Sequence, residues 1–89
     1  MIEYLDLTDA TFEELCAHFG YTPKGRPVST KEAASMADVH PMTFEAYRAR
    51  GEGPRFFQPP GTRRIWYAEV DVLRWLASGS KLNTSEAAA

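Results

Sequence analysis

The segment VSTKEAASMADVHPMTFEAYRARG, residues 28–51, determines the architecture because it predicts two short helices in quick succession. Ser29 followed three residues later by Glu32 forms a capping box, a pattern typical of the start of a helix. We expect the first helix to extend over residues 31–37, with alanines on its packed face. Lys31 would then lie on the exposed face of this helix.

A turn and a second helix follow directly. Residues 38–40 are interpreted as a tight turn in which His40 caps the next helix. Pro41 suits the first helical position, where its missing N–H group costs nothing. The second helix is expected over residues 41–50, with its aromatic side chains pointing inward, and Gly51 ends it.

A β-hairpin is predicted after the two helices. Residues 56–58 and 64–67 are rich in aromatic side chains, and the second run alternates with the period of a strand. Because proline cannot donate a hydrogen bond to a ladder, the first strand must end at Pro59. The alternation places Tyr67 on the buried face and leaves Trp66 near the surface, where it packs over the outer face or meets a partner.

Two more helices flank this central part. Thr11 and Glu14 form another capping box, and Gly20 stands where a left-handed residue typically ends a helix. The helix between them carries an apolar stripe at helical spacing: Phe12, Leu15, Cys16 and Phe19. We expect this stripe to cover the core, and the alternative is a contact with another protomer or protein. A last helix is predicted over residues 69–78.

The length of 89 residues and the ordinary composition indicate one small globular domain. We expect an acidic helix and linker in residues 1–27 that pack on the core, the main unit in residues 28–78, and a loose tail in residues 79–89. The net charge of −2 is unevenly divided. Residues 1–23 carry five acidic and no basic side chains, whereas residues 24–76 carry nine basic and six acidic ones. Such asymmetry bears on partners rather than on fold.

Several classes of protein are disfavoured by the composition. Cys16 is the single cysteine, which rules out an intramolecular disulfide and argues against a zinc site. No apolar run approaches the roughly 20 residues that cross a bilayer, and the N-terminus does not resemble a secretory signal. We therefore expect a cytoplasmic protein with no membrane contact, no catalytic residues, no cofactor, no metal and no small-molecule substrate.

The order of the elements is a helix, a turn, a helix, a basic hairpin and a closing helix. This order predicts a winged helix-turn-helix over residues 28–78, mostly α with a small β-hairpin, preceded by an extra N-terminal helix. In a helix-turn-helix, the second helix offers its N-terminal side chains to base edges in the major groove. A hairpin tip with arginines can reach the neighbouring minor groove or a phosphate strand. The expected partner is double-stranded DNA.

Four segments in this order resemble the MerR-like winged-helix family, which includes phage excisionases and AlpA-type regulators. They are VSTKEAA (28–34), VHPMTF (39–44), YRARGEGP (47–54), and RIWY (64–67) leading to DVLRWL (71–76). The resemblance covers residues 28–77 and implies a DNA-binding protein with no catalytic step of its own. The chain departs from the family at Met42, where a basic residue is frequent, at Ala46, where a polar or basic one is, and at Gln58, where an arginine is.

Eight residues are candidates for contact with DNA: Lys31, Met42, Thr43, Glu45, Arg48, Arg50, Arg63 and Arg64. The cations would meet phosphates, while Thr43 and Met42 would meet base edges. Glu45 either accepts from a cytosine amino group or remains a solvated carboxylate. Arg48 and Arg50 either contact DNA or pair within their helix, as Glu45 with Arg48 could. The two hairpin arginines either contact DNA or are solubilising edge cations.

The favoured function is that of a phage-type excisionase, a recombination directionality factor acting in a bacterial or phage-infected cell. Several copies would bind cooperatively and bend attachment-site DNA, so that a separate integrase assembles its excision complex. Bending a 20–30 bp site by 40–90° costs on the order of 1–6 kcal/mol, which one small module would struggle to supply, so self-association on DNA is expected.

Two other functions stay open from the residues alone. One is a transcriptional regulator on the same scaffold, and the other is a protein-interaction module that never touches DNA. An enzyme has the least support, because the chain contains nothing that resembles a nucleophile–base pair, a phosphate-binding glycine loop or a metal cluster.

Overall fold

The computed structural model describes residues 9–79 of the chain. Within this range the protein is small and mostly helical, with four α-helices and a two-stranded antiparallel sheet, an arrangement compatible with a winged helix. The elements are α1 (Phe12–Phe19), β1 (Val28–Ser29), α2 (Thr30–Met36), α3 (Pro41–Ala49), β2 (Trp66–Tyr67) and α4 (Glu69–Ala77). None of these helices is long and apolar enough to cross a membrane.

Both predicted capping boxes are confirmed. At the start of α1, the Thr11 hydroxyl accepts from the Glu14 N–H group at 3.1 Å, and the Glu14 carboxylate accepts from the Thr11 N–H group at 2.8 Å. At the start of α2, Ser29 and Glu32 exchange the same pair of bonds at 3.1 and 2.9 Å. Each box satisfies two backbone donors that would otherwise lack a partner, so the residue type alone positions the helix start.

The turn between α2 and α3 is also built as predicted. Asp38 adopts a left-handed backbone, with φ of 58°, and the Val39 N–H group donates back to the carbonyl of Ala34 at 3.0 Å. The imidazole Nδ1 of His40 accepts from the N–H group of Met42 at 3.0 Å, which makes His40 the N-cap of α3. The turn therefore sets the angle at which α3 leaves α2.

The sheet differs from the predicted hairpin. The expected strand at residues 56–58 is reduced to one pairing, in which Phe57 and Trp66 exchange backbone hydrogen bonds of 2.8 and 2.9 Å. The regular strand β2 covers only Trp66–Tyr67 and pairs on its other side with β1, Val28 opposite Tyr67. The first arm stays short because Pro54 and Pro59 flank it and lack N–H donors. We call residues 58–65, between the two paired residues, the hairpin loop.

Two groups of buried residues form the interior. The α1 cluster joins α1 to α4 and consists of Ala10, Leu15, Cys16, Leu73 and Ala77. The aromatic cluster lies under α2, α3 and the sheet and consists of Val28, Ala33, Ala34, Phe44, Tyr67 and Val72. The predicted stripe on α1 thus covers the core through its two central residues, whereas Phe19 remains 38% exposed.

Two carboxylates, those of Glu69 and Glu32, bind the linker between α1 and β1. Glu69 is only 7% exposed, and both of its carboxylate oxygens accept from the Lys24 N–H group, at 2.8 and 3.1 Å. Burial, together with the negative charge of Glu69, raises the pKa of Tyr21 to about 12. Arg26 forms an ion pair with Glu32 at 2.7 Å. The acidic N-terminal part is thereby attached to the start of α2 and α4.

The prediction of a loose tail over residues 79–89 lies outside the described residues except for Gly79, whose N–H group donates to the carbonyl of Leu76 at 3.1 Å. Helix α4 ends at Ala77, one residue before the predicted end.

Candidate nucleic-acid interface

The first turn of α3 is anchored on one side and open on the other. Phe44 is fully buried, with its ring 5.3 Å from the ring of Tyr67 and 5.6 Å from that of Trp75. Met42, in contrast, is 71% exposed, and Thr43 is exposed beside it. The buried ring fixes α3 against the core, so the two open side chains project from a rigid support.

Two further candidates on the helices are also exposed. Lys31 lies on the open face of α2, as its position in the sequence predicted. Glu45 lies on α3 one residue past the buried Phe44 and forms no ion pair with any residue of the described range. Both side chains are therefore open to solvent.

The tip of the hairpin loop is a closed turn. The N–H group and the hydroxyl of Thr62 both donate to the carbonyl of Pro59, at 3.2 and 2.9 Å. Pro60 and Gly61 occupy the central positions, and Gly61 has φ of 78°. This is the pattern of a type II turn, which favours proline first and needs a positive φ second. The side-chain amide of Gln58 donates to the Thr62 carbonyl at 3.0 Å and closes the loop.

The two hairpin arginines follow this turn directly. Arg63 and Arg64 are both exposed, and the N–H group of Arg64 donates to the Thr62 hydroxyl at 3.3 Å. The guanidinium carbon of Arg64 lies 5.9 Å from the centre of the Trp66 ring. The backbone that carries the two cations is therefore constrained by local hydrogen bonds.

Arg48 links α3 to the root of the hairpin. Its Nη1 atom donates to the hydroxyl of Tyr67 at 3.0 Å and to the hydroxyl of Thr30 at 3.3 Å. Its guanidinium carbon lies 5.8 Å from the centre of the Phe56 ring. Arg48 forms these contacts instead of the intrahelical pair with Glu45 that the sequence left open. One half-buried cation thus joins the start of α2, the end of α3, the sheet and the hairpin.

Arg50 is engaged near the end of α3. Its Nε atom pairs with the Glu52 carboxylate at 3.0 Å, and its guanidinium carbon lies 5.6 Å from the Tyr47 ring. Both partners of the ion pair are more than half exposed, so the pair is weak and can exchange for another anion. The indole N–H group of Trp75 donates to the Glu52 carbonyl at 3.0 Å and so holds the segment after α3 against α4.

One exposed cation was missed by the sequence interpretation. Arg55 lies between the end of α3 and the paired residue Phe57. Its guanidinium carbon is 4.8 Å from the centre of the Phe57 ring. The sequence signal for it is an arginine directly followed by two aromatic residues, Phe56 and Phe57.

An apolar groove lies on the outer face of the sheet. It has a volume of about 520 Å³ and is lined by Arg26, Pro27, Phe57, Trp66 and Ala68. The half-buried Trp66 forms part of its wall, as expected for a residue on the face opposite Tyr67. We call this feature the outer groove.

The titratable side chains do not assemble into a metal centre in the described range: no three of His, Cys, Asp and Glu lie close enough to hold an ion. Cys16 is buried as a free thiol, and burial, assisted by the charges of Glu69 and Glu13, raises its pKa. A thiol with a raised pKa is a poor nucleophile, because the thiolate is the reactive form.

No family model, no curated protein and no solved structure matches this chain.

Proposed function

We propose that this protein is a winged helix-turn-helix protein that binds double-stranded DNA through α3 and the hairpin loop. The observation that carries the proposal is the Arg48 link, because it joins the last turn of α3 to the start of α2 and to Tyr67 at the root of the hairpin. Surfaces that are rigid before binding lose less conformational entropy when they bind, so two such elements suit a rigid ligand like duplex DNA.

In this proposal the two elements have different roles. Thr43 and Met42 at the start of α3 approach base edges in the major groove, where a hydroxyl reads hydrogen-bonding groups and an apolar chain contacts thymine methyl groups. Arg63 and Arg64 meet phosphates or the adjacent minor groove, and Lys31 and Arg50 supply further phosphate contacts. The first role gives sequence preference, and the second gives affinity that falls with salt.

We further propose that the protein acts as an architectural factor of the excisionase type and has no catalytic step. Its small size supports cooperative action, because a bend costs on the order of 1–6 kcal/mol, a large demand on the few phosphate contacts of one module. Several copies would bind neighbouring sites and self-associate there, and an integrase would use the bent DNA. A regulator that binds a promoter would use the same reading surface.

Binding to duplexes selected from a random library tests the DNA proposal. The four phosphate contacts of Lys31, Arg50, Arg63 and Arg64 predict a slope of about −3.6 when log affinity is plotted against log salt. Arg63→Ala/Arg64→Ala should reduce the size of this slope by about 2 and weaken all sequences alike. Thr43→Ala should instead relax preference at one base pair, by about 1–3 kcal/mol. Weak affinity with no dependence on salt would overturn the proposal and favour a protein-interaction module.

A gel-shift titration on tandem copies of the selected site, followed by footprinting on attachment-site DNA, tests the architectural role. We expect adjacent sites to fill cooperatively. We also expect the complex to bend DNA, measured as a change in gel mobility when the site is moved along circularly permuted fragments. Stepwise filling without cooperativity, or straight DNA, would contradict the excisionase role and leave a regulator as the better description.

A further inference from the structure

The outer face of the hairpin carries two aromatic side chains next to each other. Phe57 and Trp66 exchange both backbone hydrogen bonds, so they form a cross-strand pair whose side chains lie on the same face. Both rings line the outer groove. Phe57 is 42% exposed and Trp66 is half-buried. The pair therefore presents aromatic surface to solvent at the centre of this face.

Each of these rings has an exposed arginine two positions before it in the chain. The guanidinium carbon of Arg55 lies 4.8 Å from the centre of the Phe57 ring, and that of Arg64 lies 5.9 Å from the centre of the Trp66 ring. Within residues 9–79 neither arginine forms an ion pair. Because the two segments run antiparallel, the arginines lie towards opposite ends of the pair. We call these four residues the outer platform.

The outer groove beside the platform is apolar and lacks negative charge. Among the described residues no acidic side chain lines it, and its one cation, Arg26, is already paired with Glu32. The adjoining groove includes Glu69, whose two carboxylate oxygens accept from the Lys24 N–H group. The volume of about 520 Å³ lies in the range of about 300–1,000 Å³ that is typical of ligand pockets. Such a face suits a ligand with flat apolar rings and separate negative charges.

We propose that the outer platform binds single-stranded DNA, with unpaired bases stacked on Phe57 and Trp66 and phosphates at Arg55 and Arg64. Bases stack on aromatic rings and on guanidinium planes, and this stacking tolerates any sequence. Successive phosphates are separated along a strand, so the two arginines contact different phosphates. The groove has no side-chain hydrogen-bonding group besides the paired Arg26, and therefore none for the 2′-hydroxyl of RNA.

This site goes beyond the proposed function, because it uses bases that a duplex keeps stacked inside its helix. It does not involve α3. Arg64 belongs to both surfaces, since it also lies in the hairpin loop, whereas Phe57 belongs to the outer platform alone. Substitutions at Phe57 therefore separate single-strand binding from duplex binding.

Phe57→Leu, with Phe56→Leu as the matched control, tests the platform. Phe56 is exposed to the same degree, 41%, but its ring lies near Arg48 and Tyr67 on the opposite face. The probe is a labelled oligothymidylate of about ten nucleotides, a length that one small domain can cover. Phe57→Leu should weaken binding of this strand by at least about 5-fold, because it removes a stacking ring. Phe56→Leu should leave the affinity unchanged, and Phe57→Tyr, which keeps the ring, should restore it.

Two further probes separate stacking from attraction between charges alone. An abasic strand of the same length keeps the phosphates and should bind more weakly than oligothymidylate. Tryptophan emission should fall when oligothymidylate binds. It should stay constant in Trp66→Phe, whose remaining tryptophan is Trp75 in the interior.

The outcomes that would overturn the platform leave the proposed function intact. They are equal affinities of Phe57→Leu and Phe56→Leu for oligothymidylate, equal binding of the abasic strand, or equal competition by a polyglutamate peptide, which would favour an acidic protein as the occupant. Tighter binding of oligouridylate RNA would overturn the assignment to DNA. Duplex binding that persists in Phe57→Leu supports the separation of the two surfaces. Binding of oligothymidylate without binding of any duplex would overturn the proposed function and not the platform.

Discussion

The α1 cluster and the aromatic cluster are both buried, but they support different surfaces. The α1 cluster joins two amphipathic helices, and the exposed side of α1 carries the acidic residues Glu13 and Glu14. The aromatic cluster lies directly beneath α3 and the hairpin, and Phe44 at its centre contacts Tyr67, Tyr47 and Trp75. The chain therefore separates a region that stabilises the fold from a region that supports the residues proposed to bind DNA. A substitution in the α1 cluster should lower stability alone, whereas one in the aromatic cluster should lower both stability and DNA affinity.

Large-to-small changes at the two centres give the largest expected effects. Phe44→Ala should destabilise the protein by about 3–5 kcal/mol, and Leu15→Ala by about 2–5 kcal/mol, because each empties a fully buried site. Urea unfolding followed by tryptophan fluorescence measures both. Phe44→Leu should keep the protein folded while removing the ring contacts that hold α3.

The decisive comparison is DNA affinity in conditions where each variant is folded by circular dichroism. Phe44→Leu should bind more weakly, whereas Leu15→Ala should bind like the unsubstituted protein. Equal losses of affinity in the two variants would show that the clusters do not have separate roles.

A smaller effect is expected from the carboxylate that attaches the linker to α4. Glu69→Gln should lower the free energy of unfolding by about 1–3 kcal/mol, since it weakens a buried acceptor for the Lys24 N–H group. Asp71→Asn is the matched control, because it removes the same charge from the first turn of α4 at a less buried position. DNA affinity should not change in either variant. If Glu69→Gln lowers the free energy of unfolding no more than Asp71→Asn does, the hydrogen bonds from the Lys24 N–H group to Glu69 do not stabilise the fold.

The smallest effect concerns acid pH. Hydrogen bonds from the Arg26 guanidinium and from the Ser29 N–H group lower the pKa of Glu32 to about 2, from an ordinary value of 4.5. Because the folded value lies below the unfolded one, the stabilisation is fully present above pH 4.5 and is lost as the pH falls towards 2. This stabilisation acts at the start of α2, the helix whose Ala33 and Ala34 belong to the aromatic cluster.

Thermal melting between pH 5 and pH 2 measures this contribution. Arg26→Ala should flatten the fall in melting temperature across that range, whereas Lys24→Ala should leave its shape unchanged. Identical pH profiles for Arg26→Ala and the unsubstituted protein would show that the ion pair does not stabilise the fold.

The helix starts were predictable from the sequence because their chemistry is local. Thr11 and Ser29 each bond to a residue three positions away, and His40 caps a helix two positions away, so short windows of sequence contain the whole interaction. The glycine that ends α1 follows from the same local logic, since its φ of 65° is cheapest for a residue without a side chain.

The sheet and the Arg48 link were not predictable because they depend on distant partners. Strand β2 lies inside the predicted run of residues 64–67, but its partner β1 has only two residues and no period-two run, and Val28 pairs with Tyr67 across 39 positions. Arg48 has a neighbouring carboxylate at Glu45, which made an intrahelical pair the simplest expectation. Its actual acceptors, on Thr30 and Tyr67, become neighbours only after the chain folds.

The proposed function requires α3 and the hairpin loop to contact one duplex together. A ¹⁵N-labelled sample titrated with a selected duplex tests it most directly by NMR. We expect the backbone signals of Thr43, Glu45, Arg63 and Arg64 to shift together with one affinity, while those of Glu13 and Glu14 on α1 stay in place. Shifts confined to α1, or to only one of the two proposed elements, would contradict the claim.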